Sequence, residues 1–229
     1  MTAFFVTGSG TDIGKTFVTA ALLRHLNTTG KKARAVKPVL SGFEAGNIGE
    51  SDSALLLAAR GQDPSLQNIE AISPWKYKAA LAPNMAAQRE GAEVDIEAVV
   101  KFCSDEIEKE DGILFIEGVG GVMAPLTDTF TVLDWIEALM IPPILVTGSY
   151  LGAISHALTS LRTIQARGME VPVVVISESE GSEVPLGETL ESVAHLAGNV
   201  RCIALPRAAD AQAAAITELS NFLLEMYRA

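Results

Sequence analysis

The chain has 229 residues, 48% hydrophobic and 20% charged, which is enough for one α/β unit with a buried core and short for two. Its 28 acidic and 17 basic residues give a net charge of −11, which disfavours nucleic acid or an anionic membrane as partner. No stretch approaches the roughly 20 apolar residues of a membrane-spanning helix, and no basic region precedes an apolar core at the N-terminus, so a cytoplasmic protein is expected.

In chain order, apolar runs recur at "AFFVT", "ARAVK", "GILFIE", "PPILVT", "VPVVVI" and "RCIAL". Helical patterns fall at Lys15–Asn27, Ser51–Arg60, Ile96–Glu110, Val132–Leu139, Ser155–Arg167, Leu186–Leu196 and Ala211–Tyr227, with Gly30 and Gly168 as helix stops. Strands alternating with helices predict parallel pairing through helical crossovers, one domain over residues 1–229. The polar stretch Ser41–Ser51, with three glycines, reads as a surface loop that carries function. Cys103 and Cys202 have no metal-ligand spacing and read as reduced thiols.

Between the first strand and the first helix lies "GSGTDIGKT". The common phosphate loop, G-x-x-x-x-G-K-[ST], would place its first glycine at Ser9, whereas the glycine is Gly8. The loop is one residue longer, but its context is that of a phosphate cradle. Glycines let backbone N–H groups approach an anion, and the helix N-terminus presents the favourable end of its dipole. Lys15 would neutralise outer phosphates, Thr16 would offer its hydroxyl to magnesium, and the extra residue puts Thr11 and Asp12 on the outer face.

Glu117 ends "GILFIE" ahead of Gly118, Gly120 and Gly121. It can reach a magnesium ion beside the loop, or it is a strand-end acid on a tight turn. Asp52 follows Ser51 at a helix start and suits a cap as well as a metal ligand. Lys37 ends "ARAVK" and can be functional or merely solvated. His156 can be a base or can orient a helix start.

Taken together, "VTGSGTDIGKT", "VKPVLSG", "SDSALL", "IEGVGGVMAPL", "DWI" and "LGAISHALTSL" resemble dethiobiotin synthetase in order and spacing up to about Leu161. The resemblance implies a P-loop NTPase fold with a mostly parallel sheet of roughly seven strands, a homodimer, and magnesium with ATP as co-substrate. It implies closure of a cyclic urea from 7,8-diaminononanoate, carbon dioxide and ATP, through a carbamate that takes the γ-phosphoryl group. The residues carried over for the nucleotide are Gly8, Thr11, Asp12, Ile13, Gly14, Lys15, Thr16, Phe17 and Glu117. Thr16, Asp52 and Glu117 resemble the magnesium set. Thr11, Lys15 and Lys37 resemble the groups around the reacting carbamate and phosphates. Ser41, Gly118 and Val119 resemble the diamine-holding positions, and Leu151, Gly152 and Ser155 those of a partner subunit that hold the substrate carboxylate.

Four positions depart from the family pattern. Gly10 replaces a frequent acid, Asn84 a frequent histidine, and Ser155 a frequent asparagine. "ISESEG" around Ser177 lacks the asparagine that commonly reads the base, which leaves the nucleotide preference open. A switch-type ATPase of the septum-positioning or partition class is the alternative reading. Its loop needs a lysine where this chain has Gly10, and the C-terminal segment lacks a basic membrane-targeting face.

Overall fold

A computed structural model describes residues 2–109 and 111–226. The expected helix ends at Glu110 and Tyr227 lie outside the described residues. The chain runs β1 (Thr2–Gly8), α1 (Lys15–Thr28), β2 (Ala33–Val36), β3 (Val39–Ser41), α2 (Asp52–Ala59), α3 (Leu66–Ile72), β4 (Trp75–Tyr77), α4 (Pro83–Arg89) and α5 (Ile96–Lys109). It continues β5 (Ile113–Glu117), α6 (Val132–Leu139), β6 (Pro143–Gly148), α7 (Ala153–Ala166), β7 (Val173–Ser177), α8 (Leu186–Ala197), β8 (Arg201–Leu205) and α9 (Ala209–Glu225).

Among the described residues the main sheet has six strands, ordered β2-β5-β1-β6-β7-β8, and every pairing in it is parallel. Where the resemblance implies about seven strands in one sheet, β3 leaves the sheet and pairs with β4 as a separate parallel ribbon. The cause is Pro38, which has no N–H to donate and follows β2 at the point where the chain bends away. The strand β4 and the helices α3 and α4 have no counterpart in the sequence reading, because at 3, 7 and 7 residues they are too short to show periodicity.

The alternation of apolar residues decides which face each side chain joins. In β6 and β7, Ile144, Val146, Val173 and Val175 enter the larger core, on the side covered by α1 and α9. Leu145, Val174 and Ile176 enter the second core with Leu161, Ile164 and Val193 of α7 and α8. With both faces covered, β5 and β7 are buried along their whole length, hence their unbroken apolar sequences. All six strands point the same way, so their carboxyl ends and the loops that follow form one edge. The edge centres on β1, where the order reverses direction and where α/β sheets bind their ligands.

Candidate functional site

The loop after β1 is held at both ends. Ser9 N–H donates to Val146 O at 2.9 Å and Ser9 Oγ to Thr147 Oγ1 at 2.8 Å. Gly14 caps α1 with φ +99°, a conformation that L side chains rarely adopt. A Cβ there would also lie 2.4 Å from Ser177 Oγ. Gly8 is closed in by Ile13, whose Cδ1 would be 2.6 Å from an added Cβ. The longer loop is accommodated by Asp12, which takes a left-handed turn (φ 56°) and stays exposed beside Thr11. The first turn of α1 leaves its N–H groups without intrahelical acceptors, so this end of the helix faces the cleft as an anion-binding surface.

Five side chains meet behind that loop: Lys15 and Thr16 of α1, Lys37 just after β2, Asp52 of α2 and Glu117 of β5. Glu117 is completely buried; its Oε1 accepts from Thr16 Oγ1 at 2.6 Å and from Lys37 Nζ at 2.7 Å. Lys37 Nζ also lies 2.9 Å from Asp52 Oδ2. Lys15 Nζ donates to Gly120 O at 2.7 Å and to Gly10 O at 3.0 Å. Burial, followed by the neighbouring Lys37 charge, lowers the Lys15 pKa to about 8. Burial opposes the charge on Lys37 too, but Glu117 and Asp52 outweigh it and raise its pKa. Burial likewise works against the Asp52 carboxylate, and Lys37 more than compensates, holding it below the ordinary value.

Lys15, Thr16, Lys37 and Asp52 line one cleft of about 800 Å³, whereas Glu117, Gly8 and Ile13 lie outside its lining. Of the residues named from the sequence, Thr11, Asp12, Gly14, Lys15, Thr16, Phe17, Lys37, Ser41, Asp52 and Val119 border it. Ser41 Oγ is buried without a hydrogen-bond partner among the described residues. Gly118 lies behind the wall, where a Cβ would meet the Phe5 ring at 2.8 Å. Its N–H donates to Val6 O, so its smallness serves packing. Leu151, Gly152 and Ser155 are exposed and outside the cleft, and His156 is exposed with Nδ1 2.8 Å from Tyr150 Oη. The reading of Ser51 as a cap also stands, since its Oγ accepts from Ala54 N–H and thereby starts the helix that carries Asp52.

Residues that the sequence reading did not single out complete the walls. They are Leu40, the Ala80–Pro83 segment, Met123, Thr159, Ser160, Thr163 and Arg207. Arg207 follows β8, about 190 residues from the loop it borders, and no local pattern connects the two.

Among the described residues no group of three or more His, Cys, Asp or Glu could hold a metal by itself. The donors here are two carboxylates and a hydroxyl, with Glu117 Oε2 buried and without a hydrogen-bond partner among the described residues. That set fits a hard, oxygen-seeking cation such as magnesium, completed by phosphate and water oxygens.

An AAA domain family model matches residues 2–215. The ATP-dependent dethiobiotin synthetase BioD of Methylobacterium nodulans is 44% identical over 210 residues, covering 89% of this chain and 93% of that protein. The chain belongs to the dethiobiotin synthetase family. The enzyme of the same name from Caulobacter sp. is 45% identical over 219 residues, covering 95% of this chain and 94% of its own. Among solved structures, the cell division ATPase MinD of Pyrococcus furiosus superposes with a TM-score of 0.57 at 14% identity, covering 99% of this chain and all of that one. At that identity the likeness to MinD shows the shared fold alone, so it is the dethiobiotin synthetase relatives that bear on chemistry.

Proposed function

We propose that this chain, as one domain over residues 1–229, is an ATP-dependent dethiobiotin synthetase acting in the cytoplasm. It carboxylates 7,8-diaminononanoate with carbon dioxide and closes the cyclic urea, releasing ADP and phosphate. The observation that carries the reading is Lys37, a buried cation between Glu117 and Asp52 that borders the same cleft as the glycine-rich loop. The septum-positioning alternative needs a lysine at position 10, where this chain has a glycine whose carbonyl accepts from Lys15.

In this reading one substrate amine and carbon dioxide give a carbamate and a proton. A carbamate oxygen then attacks the γ-phosphorus, and the bond to the bridging oxygen breaks with ADP as leaving group. The second amine attacks the carbamoyl carbon, and phosphate departs with the ring closed. The nucleophile is an anion meeting a polyanion, so the protein's task is alignment and neutralisation rather than strong base catalysis. Lys15 and Lys37 supply positive charge, Thr11 stands at the loop's outer face, and Ser41 with Val119 borders the diamine region. Thr16, Asp52 and Glu117 would hold magnesium, which supplies further neutralisation of the triphosphate when bound. We also infer a homodimer in which Leu151, Gly152 and Ser155 of one copy complete the substrate site of the other. Their exposure beside the exposed N-terminus of α7 suits a substrate carboxylate.

The test is to supply purified protein with diaminononanoate, bicarbonate, magnesium and ATP. Cyclic urea should form with stoichiometric phosphate, and Lys37→Ala should lose turnover while retaining nucleotide binding. If no common nucleotide supports diamine-dependent phosphate release, the assignment is wrong.

A further inference from the structure

The sheet order gives the nucleotide a direction. Lys37 and Asp52 lie on the β2 side of β1, whereas β6, β7 and β8 extend on the other. Strands are spaced about 4.8 Å apart, so β8 lies roughly 14 Å from β1 across the sheet, a distance that suits a nucleoside whose phosphates rest on the loop between them. With the outer phosphate at Lys37, the base is carried toward β7 and β8. There the cleft is bordered by Phe17 and Arg207.

The segment after β7, residues 178–185, carries no side-chain amide, and the structure shows what its first residues do. Ser177 is buried, its Oγ packed on the Gly14 position and without a partner among the described residues, so it cannot reach a base in the cleft. Glu178 anchors Arg207 twice: its carbonyl accepts from Arg207 Nε at 3.0 Å and its carboxylate accepts the Arg207 backbone N–H at 2.7 Å. The guanidinium carbon is thereby held 4.7 Å from the centre of the Phe17 ring. Its Nη1 and Nη2 groups have no hydrogen-bond partner among the described residues.

We propose that Arg207, seated on Phe17 and positioned by Glu178, receives the nucleobase, and that this end of the site consequently discriminates weakly between bases. The proposal rests on the synthetase reading above. A planar cation offers stacking and N–H donors, and each of the four common bases presents a π face and ring or carbonyl acceptors. Sites that stack bases tolerate any of them, whereas a site that pairs a donor and an acceptor with one edge rejects the others by orders of magnitude.

The test compares ATP, GTP, CTP and UTP in diamine-dependent phosphate release, alongside direct titration of ADP, GDP and CDP without the diamine. The four kcat/KM values are expected within about tenfold of one another, in keeping with stacking recognition. Arg207→Ala should weaken all three diphosphates together by about tenfold and raise KM far more than it lowers kcat, while Arg207→Lys, lacking the plane, should not restore them. Glu178→Ala should reproduce a smaller, base-independent weakening. A hundredfold preference for one base, or unchanged diphosphate affinity in a folded Arg207→Ala protein, would overturn the proposal. Failure of turnover with normal diphosphate binding would instead count against the synthetase reading and leave this one standing.

Discussion

Replacing Lys37 by methionine keeps most of the volume and removes the charge, and the structure sets the size of the effect. Glu117 is wholly buried, and without the ammonium its Oε1 keeps only the Thr16 hydroxyl at 2.6 Å. Removing one partner of a buried ion pair costs about 3–5 kcal/mol. A loss of roughly 3.5 kcal/mol is therefore expected, or a melting temperature lower by about 7–14 °C in a chain of this size. Adding Glu117→Gln removes the stranded charge and should recover most of the loss. Urea denaturation of the three variants, without nucleotide or divalent cation, measures both quantities. A loss under about 1 kcal/mol in the single variant, or a double variant no more stable than the single one, would refute the reasoning.

Two further outcomes follow from local geometry. Gly14→Ala should cost about 1–2 kcal/mol from its positive φ alone, with more from the Cβ set against Ser177 Oγ. Adding Ser177→Gly should recover only the second part in a denaturation cycle, and full recovery would show that backbone strain is unimportant there. Asp134, the N3 residue of the capping box that starts α6, accepts from Thr131 N–H at 2.8 Å and Thr131 Oγ1 at 2.6 Å and meets Arg167 at 3.1 Å. Burial acts against its charge, but these partners prevail and lower its pKa. A depressed carboxylate stabilises the fold above its unfolded value, about 3.9, and loses that contribution as pH falls through the folded one. Asp134→Asn should therefore be less stable than the parent at pH 7, with the gap narrowing below about pH 4. A gap that stays constant from pH 6 to pH 3 contradicts this.

The sequence was most informative where chemistry depends on neighbours along the chain. The phosphate loop, the strand that ends in Glu117 and the cap at Ser51 were all legible because each rests on a turn, a periodicity or a capping pattern a few residues long. Lys37 and Asp52 were ambiguous for the opposite reason. Nothing in "ARAVK" or "ESDSALL" says that the two side chains meet, and only the register of β2 on β5 brings Lys37 to Glu117. Arg207 was invisible, since its role depends on β8 lying three strands from β1. The departure around Ser177 could be seen, but what replaces the amide could not, because Glu178 acts through contacts 29 residues away.

The place of β5 has a consequence for the order of folding. The first two strands in the chain never touch, because the third strand to join the main sheet lies between them, with Ile113 opposite both Thr2 and Ala33. Until residue 117 is available, β1 and β2 have no ladder to share and the Lys37 ammonium has no Glu117 to enter the interior with. The first half of the chain is therefore not a self-sufficient folding unit. Closing a loop of this length comes before the contacts that reward it, so insertion of β5 is expected to be slower than formation of the local helices. During synthesis, the same step joins the central sheet and assembles the reactive cluster, so a molecule that has completed one has completed the other.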